Sequence, residues 1–387
     1  MNVVRRVTRN ISYLFAWQAV SRFLGLVLNV VLARRLEDSG YGRYSIILVI
    51  VMIAGMAADF GTANIVIREI SRQRDYANSI LGAVLVLRGV TTVTVWLGAV
   101  SIFVFSGLDR GYALPLAIAS LSVIPTSLST ALEAALQGFE RMDLSALADA
   151  VFSLALTGAG VAVVYRGGGV LGMTVVYLGA SVVRLAYSSL AYLRLDRMRG
   201  GWRFTRDRFV YLVRESFPVL YWQLVSLAYY KIDVLLLGAF RTETEVGWYA
   251  AVYKLFEVPV MFGWLAAQAL LPLMSRTYQK SRDSLGVLFE KAVKYIWVTG
   301  LGAAVLLSVM AGPVIELMLP PEYQPSIRAL IVLGYAIPFM VGCVLFGNLF
   351  IAMNIQGRMA RWSLLSLLAN LSLNLVLIPL YGLMGAA

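Results

Sequence analysis

Apolar runs of roughly 20 residues, broken by short charged or Gly/Pro-marked turns, fill this chain from end to end. A bilayer core takes about 20 apolar residues per crossing, so each run predicts a spanning helix. The pattern places eleven helices, near 11–33, 44–67, 79–106, 113–136, 146–164, 171–193, 215–239, 248–274, 295–318, 329–355 and 362–381. The longest polar stretch, 194–214, is too short for an independent domain, which rules out an appended soluble enzyme. The start, MNVVRRVTRN and then a long apolar run interrupted by Arg22, predicts a helix retained in the membrane rather than a signal peptide.

Composition agrees. Apolar residues make up 60% and charged residues 14% of 387, against about 45–50% and 25% in soluble domains, and the mean hydropathy is +0.77. The fold class expected is an all-α integral membrane protein. A single cysteine, Cys343, excludes a disulfide framework or CxxC site, and the absence of histidine excludes imidazole metal ligands and His-dependent nucleophiles. No catalytic residue, metal or cofactor is therefore expected.

The net charge is +12, from 33 Lys+Arg against 21 Asp+Glu, and it sits in loops beside the spans. It reads as membrane topology rather than nucleic-acid binding. Segments on the side of the N-terminus carry 21 of the basic residues and the opposite loops carry 7. That bias predicts a cytoplasmic N-terminus. The other five, Arg22, Arg88, Arg184, Lys231 and Lys254, fall inside spans.

The chain repeats itself. LARRLEDSGYGRY (32–44) aligns with LGAFRTETEVGWY (237–249), QGFERM (137–142) with NIQGRM (354–359), and GGVLGM (168–173) with YGLMGAA (381–387), at offsets of 205, 217 and 213. An even number of helices separates the copies, so the repeat is parallel. Two lobes are expected, 1–205 and 206–387, with 194–214 as the linker. Gly385 matches Gly172, which opens the sixth helix of the first half, so a twelfth helix is expected after Ala387.

ADFGTANIVIREISR (58–72), LQGFERM (136–142), YYKIDVLLLGAF (229–240), EVGWYAAVYKL (245–255) and LIPLYGLMGAA (377–387) resemble the polysaccharide-repeat-unit, O-antigen-type flippases. These are lipid-linked oligosaccharide transporters of the multidrug/oligosaccharidyl-lipid/polysaccharide exporter superfamily. SRFLG (21–25) is also similar to the lipid II flippase branch. The resemblance implies two six-helix lobes around a central cavity open alternately to each side. It also implies as partners a lipid-linked oligosaccharide, membrane lipids and other polysaccharide-assembly proteins, with no nucleic acid.

Charges at bilayer depth need a polar cavity or a partner. Arg22, Arg88 and Arg184 lie roughly 15–18 Å from the inner surface at 1.5 Å per residue. One reading makes them a cationic pocket for a pyrophosphate head group, with Arg22 and Arg88 facing one cavity, since Arg offers forked donors to phosphate. The other makes them structural, paired with Asp59 or Glu133. In the second half Lys231 and Asp233, and Lys254 and Glu257, form close couples, while Gln223, Ser226, Tyr230 and Asp233 make a polar stripe suited to sugar hydroxyls. Mutual neutralisation of the couples is the structural alternative. Asp59 and Glu133 are candidates for coupling a proton or sodium ion.

Similar stripes, Thr126-Thr130-Glu133-Gln137 and Ser363-Ser366-Asn370-Asn374, read as sugar-lining or as interhelical hydrogen bonding. Pro125, Pro259 and Pro338 are candidate bending points, and the tryptophans are interfacial anchors. A multidrug or cation exporter is the alternative function, disfavoured by the central arginines. A polysaccharide polymerase or ligase would need a large external loop, and none here exceeds about ten residues.

Overall fold

A computed structural model describes residues 3–74, 77–105, 110–195, 204–353, 355 and 357–387. Residues 196–203 of the expected linker, and Asn354 and Gln356 of one repeat motif, lie outside the described set. The helices are α1 (Val3–Arg35), α2 (Glu37–Asp59), α3 (Thr62–Arg72), α4 (Ala77–Phe105), α5 (Arg110–Leu121), α6 (Val123–Gly138) and α7 (Met142–Tyr165). There follow α8 (Gly169–Leu193), α9 (Arg206–Phe240), α10 (Glu243–Lys280), α11 (Arg282–Met318), α12 (Ser326–Ala352), α13 (Gly357–Tyr381) and α14 (Leu383–Ala386). Among the described residues, ten helical stretches are long and apolar enough to cross a membrane, with α5 and α6 counted as one. The remaining expected span, 11–33, lies within α1.

Two expected helices are each broken in two. The 44–67 span ends as α2 at Asp59, passes through Phe60 (φ +54°) and Gly61 (φ +69°), and restarts as α3. Gly61 is required there twice over. Its backbone is left-handed, and a Cβ would come within 2.7 Å of Ser216 O and Leu220 N of α9. The 113–136 span breaks between α5 and α6 at Ser122. Pro125 explains it, because its missing N–H would otherwise bond the carbonyl of Leu121, the last residue of α5.

Other helices overrun their predicted ends. Expected over 248–274 and 295–318, α10 and α11 instead run almost into each other and are separated by Ser281, whose side chain accepts from Ser284 N at 3.3 Å. The extra turns carry Arg276, Lys280, Arg282, Lys291 and Lys294. Hydropathy misses such turns because Lys and Arg favour helix as strongly as leucine does.

The chain divides into two compact units. The first holds Met1–Leu36 and Ile46–Ala228, the second Glu37–Ser45 and Tyr229–Ala387. The repeat boundary at 205/206 falls at the start of α9, whereas the units part within that helix, between Ala228 and Tyr229.

In the first unit, α1 packs on α7, and α3, α4 and α6 form the main core through Ile65, Ile70, Leu81, Val84 and Leu136. A second cluster joins Ile47, Val51 and Ala58 of α2 to Leu116 and Ala119 of α5. In the second unit α10, α11 and α12 pack together. Small residues allow the approach: a Cβ on Gly300 would stand 2.9 Å from Pro338 Cα. Pro338 is thus buried against α11. The outward surface of α11 is apolar, with Val309 69% and Leu317 76% exposed. Such a surface belongs in lipid.

Candidate functional site

The polar groups at span depth gather into three clusters, two in the first unit and one in the second. The first surrounds the helix break. Asp59 ends α2, where the helix dipole disfavours a carboxylate. Arg88 of α4 offsets it. Its Nη2 donates to Asp59 Oδ1, Nε to Thr62 Oγ1 at 2.8 Å, and Nη1 to Thr130 Oγ1 at 2.7 Å and to Ser127 O. One turn on, Thr91 Oγ1 donates to Ala58 O at 2.8 Å. Arg88 is completely buried.

The second cluster joins α6, α7 and α8. Arg184 Nε and Nη2 donate to the two Glu133 oxygens at 2.9 and 2.6 Å, and Nη2 also reaches Asp149 Oδ1 at 2.6 Å. Ser188 Oγ donates to Glu133 Oε1 at 2.9 Å, and the guanidinium lies 5.7 Å from the Phe152 ring centre. Two carboxylates share one arginine, and Asp149 is half exposed. Gln137 Nε2 donates to Ser145 Oγ at 2.8 Å and extends the α6 polar row to α7.

These bonds correct the expected pocket. Arg88 has no surface left to offer a phosphate, and all three of its nitrogens are engaged within the unit. Arg184 is likewise held by two carboxylates. Asp59 and Glu133, expected as ion-coupling groups, are the counterions of these arginines. The physical reason is the cost of a bare charge in hydrocarbon, which the nearest carboxylates and hydroxyls relieve. Thr130, Glu133 and Gln137 follow the interhelical hydrogen-bonding reading. Arg22 differs. It is exposed on α1 and has no partner among the described residues.

The third cluster lies in the second unit, on α9 and α10. Lys231 and Lys254 converge on one carboxylate: Lys254 Nζ lies 2.8 Å from Glu257 Oε2 and Lys231 Nζ 3.3 Å from Oε1. Lys231 also sits 4.4 Å from the Tyr253 ring centre, and the Tyr229 and Tyr230 rings meet edge to face at 5.6 Å. Lys254 is nearly half exposed. Two cations share one anion beside tyrosines, and the Asp233 charge also acts on Lys231.

Asp233 belongs elsewhere. Its carboxylate accepts from Tyr249 OH and, at 2.9 Å, from Val234 N, and it is buried. Lys231 and Asp233 make no direct ion pair, although their charges act on each other, and the α9 stripe is not a continuous wall. Asp233 is enclosed, Tyr230 is 41% exposed, and the buried Gln223 Oε1 has no partner among the described residues. Sequence reading missed Asp149, Tyr249 and Tyr253. Tyr249 stood in the repeat motif GWY, which was its available signal. Asp149 gave none, because only packing brings it to Arg184.

A fourth set joins α3 to the first half of α9. Arg68 of α3 donates to Glu69 at 3.0 Å and to Tyr211 OH and Glu215 of α9 at 2.9 Å each, while Tyr211 OH donates to Glu69 at 2.9 Å. The Glu215 carboxylate raises the Arg68 guanidinium further above its ordinary value.

The family model described as polysaccharide biosynthesis protein matches residues 7–278. The chain belongs to that family. The polysaccharide biosynthesis chain also matches the MatE model over residues 218–376. It is 23% identical, over 372 residues, to the probable low-salt glycan biosynthesis flippase Agl15 of Haloferax volcanii, covering 95% of this chain and 76% of that protein. Its fold is that of the lipid II flippase MurJ in an inward closed conformation (TM-score 0.78, 13% identity, 96% of this chain and 83% of MurJ). An inward-facing multidrug resistance MATE family transporter of the MOP superfamily is equally similar (0.78, 16%, 95% and 89%). The family and the fold place this multi-pass membrane protein in the multidrug/oligosaccharidyl-lipid/polysaccharide exporter superfamily. These relatives are named as flippases or transporters rather than as enzymes.

Proposed function

We propose that the chain flips a pyrophosphate-linked lipid oligosaccharide across the cytoplasmic membrane by alternating access, with its N-terminus in the cytoplasm. The observation that carries this reading is the Lys231–Glu257–Lys254 set. Two ammonium groups, that of Lys254 nearly half exposed, stand beside Tyr229, Tyr230 and Tyr253, suiting an anionic group attached to a polyhydroxylated one. Exposed Arg22, which meets no carboxylate among the described residues, is a further anion-attracting group. The glycan flippase name of the Haloferax relative supports the same substrate class. Membrane lipids and other polysaccharide-assembly proteins are the further partners.

A multidrug or cation exporter is the second reading, and one observation favours it. Arg184 lies between Glu133 and Asp149, so a negative charge is left over at half-exposed Asp149. Complementation of a flippase-deficient strain separates the two. Lys231→Ala/Lys254→Ala should abolish flipping while the protein still reaches the membrane, and Asp149→Asn should flip normally. Loss of function in Asp149→Asn alone, with the lysine variant active, reverses the assignment.

A further inference from the structure

The second unit carries a cleft of about 710 Å³ that none of the charge clusters touches. That volume lies within the roughly 300–1,000 Å³ of small-molecule sites. It opens between the start of α10, the 3-10 turn Pro321–Tyr323 with the start of α12, and the corner between α13 and α14. Trp248 and Tyr381 supply aromatic faces, and Glu245, Glu322, Gln324 and Arg328 supply polar groups.

The walls are fixed. Arg241 donates to Ile378 O at 3.1 Å and to Pro379 O at 2.8 Å, and Glu245 accepts from Leu383 N at 2.8 Å, so the α13–α14 corner is tied to α10. The lining is not self-satisfied. The Trp248 indole N–H is closed off from the cleft and has no partner among the described residues, so Trp248 offers the cleft its ring and not its N–H. Glu322, Gln324 and Arg328 are exposed and also lack side-chain partners among the described residues.

We infer that this cleft is a saccharide-binding subsite. A sugar ring has apolar C–H faces that lie on aromatic rings and hydroxyls that both donate and accept. Trp248 and Tyr381 match the first property; the carboxylate, amide and guanidinium match the second. Two carboxylates against one guanidinium disfavour a phosphate, so the cleft takes the glycan and not its pyrophosphate. By the orientation proposed above it lies on the outer side, where a flipped glycan emerges. The inference rests on the flippase reading for its substrate class.

The test titrates the purified full chain in detergent with fluorescently labelled oligosaccharides, released by mild acid from the host's own lipid-linked pool, and reads anisotropy. Affinity should fall at least about tenfold in Trp248→Ala and in Glu322→Gln/Arg328→Ala, through lost stacking and hydrogen bonds. The second variant changes only exposed side chains and covers the case in which Trp248→Ala fails to fold. Glu290→Gln, an exposed position outside both the cleft and the lysine set, should bind the free sugar as the wild type does. Absence of binding by the wild type, or unchanged affinity in Glu322→Gln/Arg328→Ala, overturns the cleft. Flipping that survives in the lysine variant overturns the phosphate reading and leaves the cleft standing.

Discussion

Gly42 and Gly247 meet backbone to backbone in the second unit, each lodged where the other's helix leaves no room for a side chain. A Cβ on Gly42 would run into Glu243 O and stand 2.9 Å from Gly247 N; one on Gly247 would run into Asp38 O and stand 3.2 Å from Gly42 N. The contact is reciprocal under the repeat, whose offset of 205 carries Asp38 to Glu243 and Gly42 to Gly247. Arg43 Nη2 secures the crossing through Glu243 at 3.1 Å. The two copies of the repeated turn thus pack on each other reciprocally.

Alanine at either glycine must push the two helices apart. Gly42→Ala and Gly247→Ala should each destabilise by about 1–3 kcal/mol, the range for overpacking a close contact. The double variant should cost less than the sum, because the first methyl already opens the crossing for the second. Unfolding in detergent, followed by thermal melting, checks both statements. Additive losses would mean that the glycines act independently.

Arg88→Ala strands Asp59 at the negative end of α2, and breaking such a buried pair costs about 3–5 kcal/mol. Arg88→Lys should recover only part, since an ammonium cannot span Asp59, Thr62, Thr130 and Ser127 together. Melting temperature and membrane yield are the measurements. A fully stable Arg88→Ala with selectively impaired flipping would instead give the guanidinium a transport role.

The Arg68 network joins α3 to α9 through partly exposed groups, so its loss should cost only about 1 kcal/mol. Its local effect should be larger than its global one. Arg68→Ala should speed trypsin cleavage after Arg72 and Arg74 with little change in melting temperature. Equal cleavage rates would show that the apolar contacts of Ile65, Val66 and Ile70 hold α3 unaided.

Orientation is checked by cysteines introduced at Gly200 and Thr242 in a Cys343→Ser background. An impermeant maleimide applied to intact cells should label the cysteine at 242 and leave the one at 200 untouched. The reverse pattern would invert the topology drawn from the basic residues.

Much of the architecture was legible because lipid imposes a simple rule: a run of roughly 20 apolar residues must be helical to satisfy its own backbone. The repeat was legible too, down to Gly42 over Gly247, although nothing in the alignment said that the two copies touch. The break at Phe60–Gly61 was hidden. Asp59, Thr62 and Asn64 mark a polar dip without saying that the helix breaks, and the causes of the break, the close approach of Ser216 and Leu220 and the demand of Arg88 for Asp59 and Thr62, lie far away in sequence.

The sequence by itself determined that this chain carries membrane-spanning helices and repeats itself, and it placed five cations inside the apolar runs. Each follows from local composition or self-similarity. Only the tertiary structure decided which of those cations are neutralised. Arg88 and Arg184 find their carboxylates 29 and 35–51 residues away, Lys231 and Lys254 share Glu257, and Arg22 finds none among the described residues. Lys254 is the exception, since its partner Glu257 stands at i+3 and is legible locally; Arg88, Arg184 and Lys231 pair with a neighbouring helix, which their own helical neighbours cannot report. Which arginines can meet a substrate is therefore set by packing.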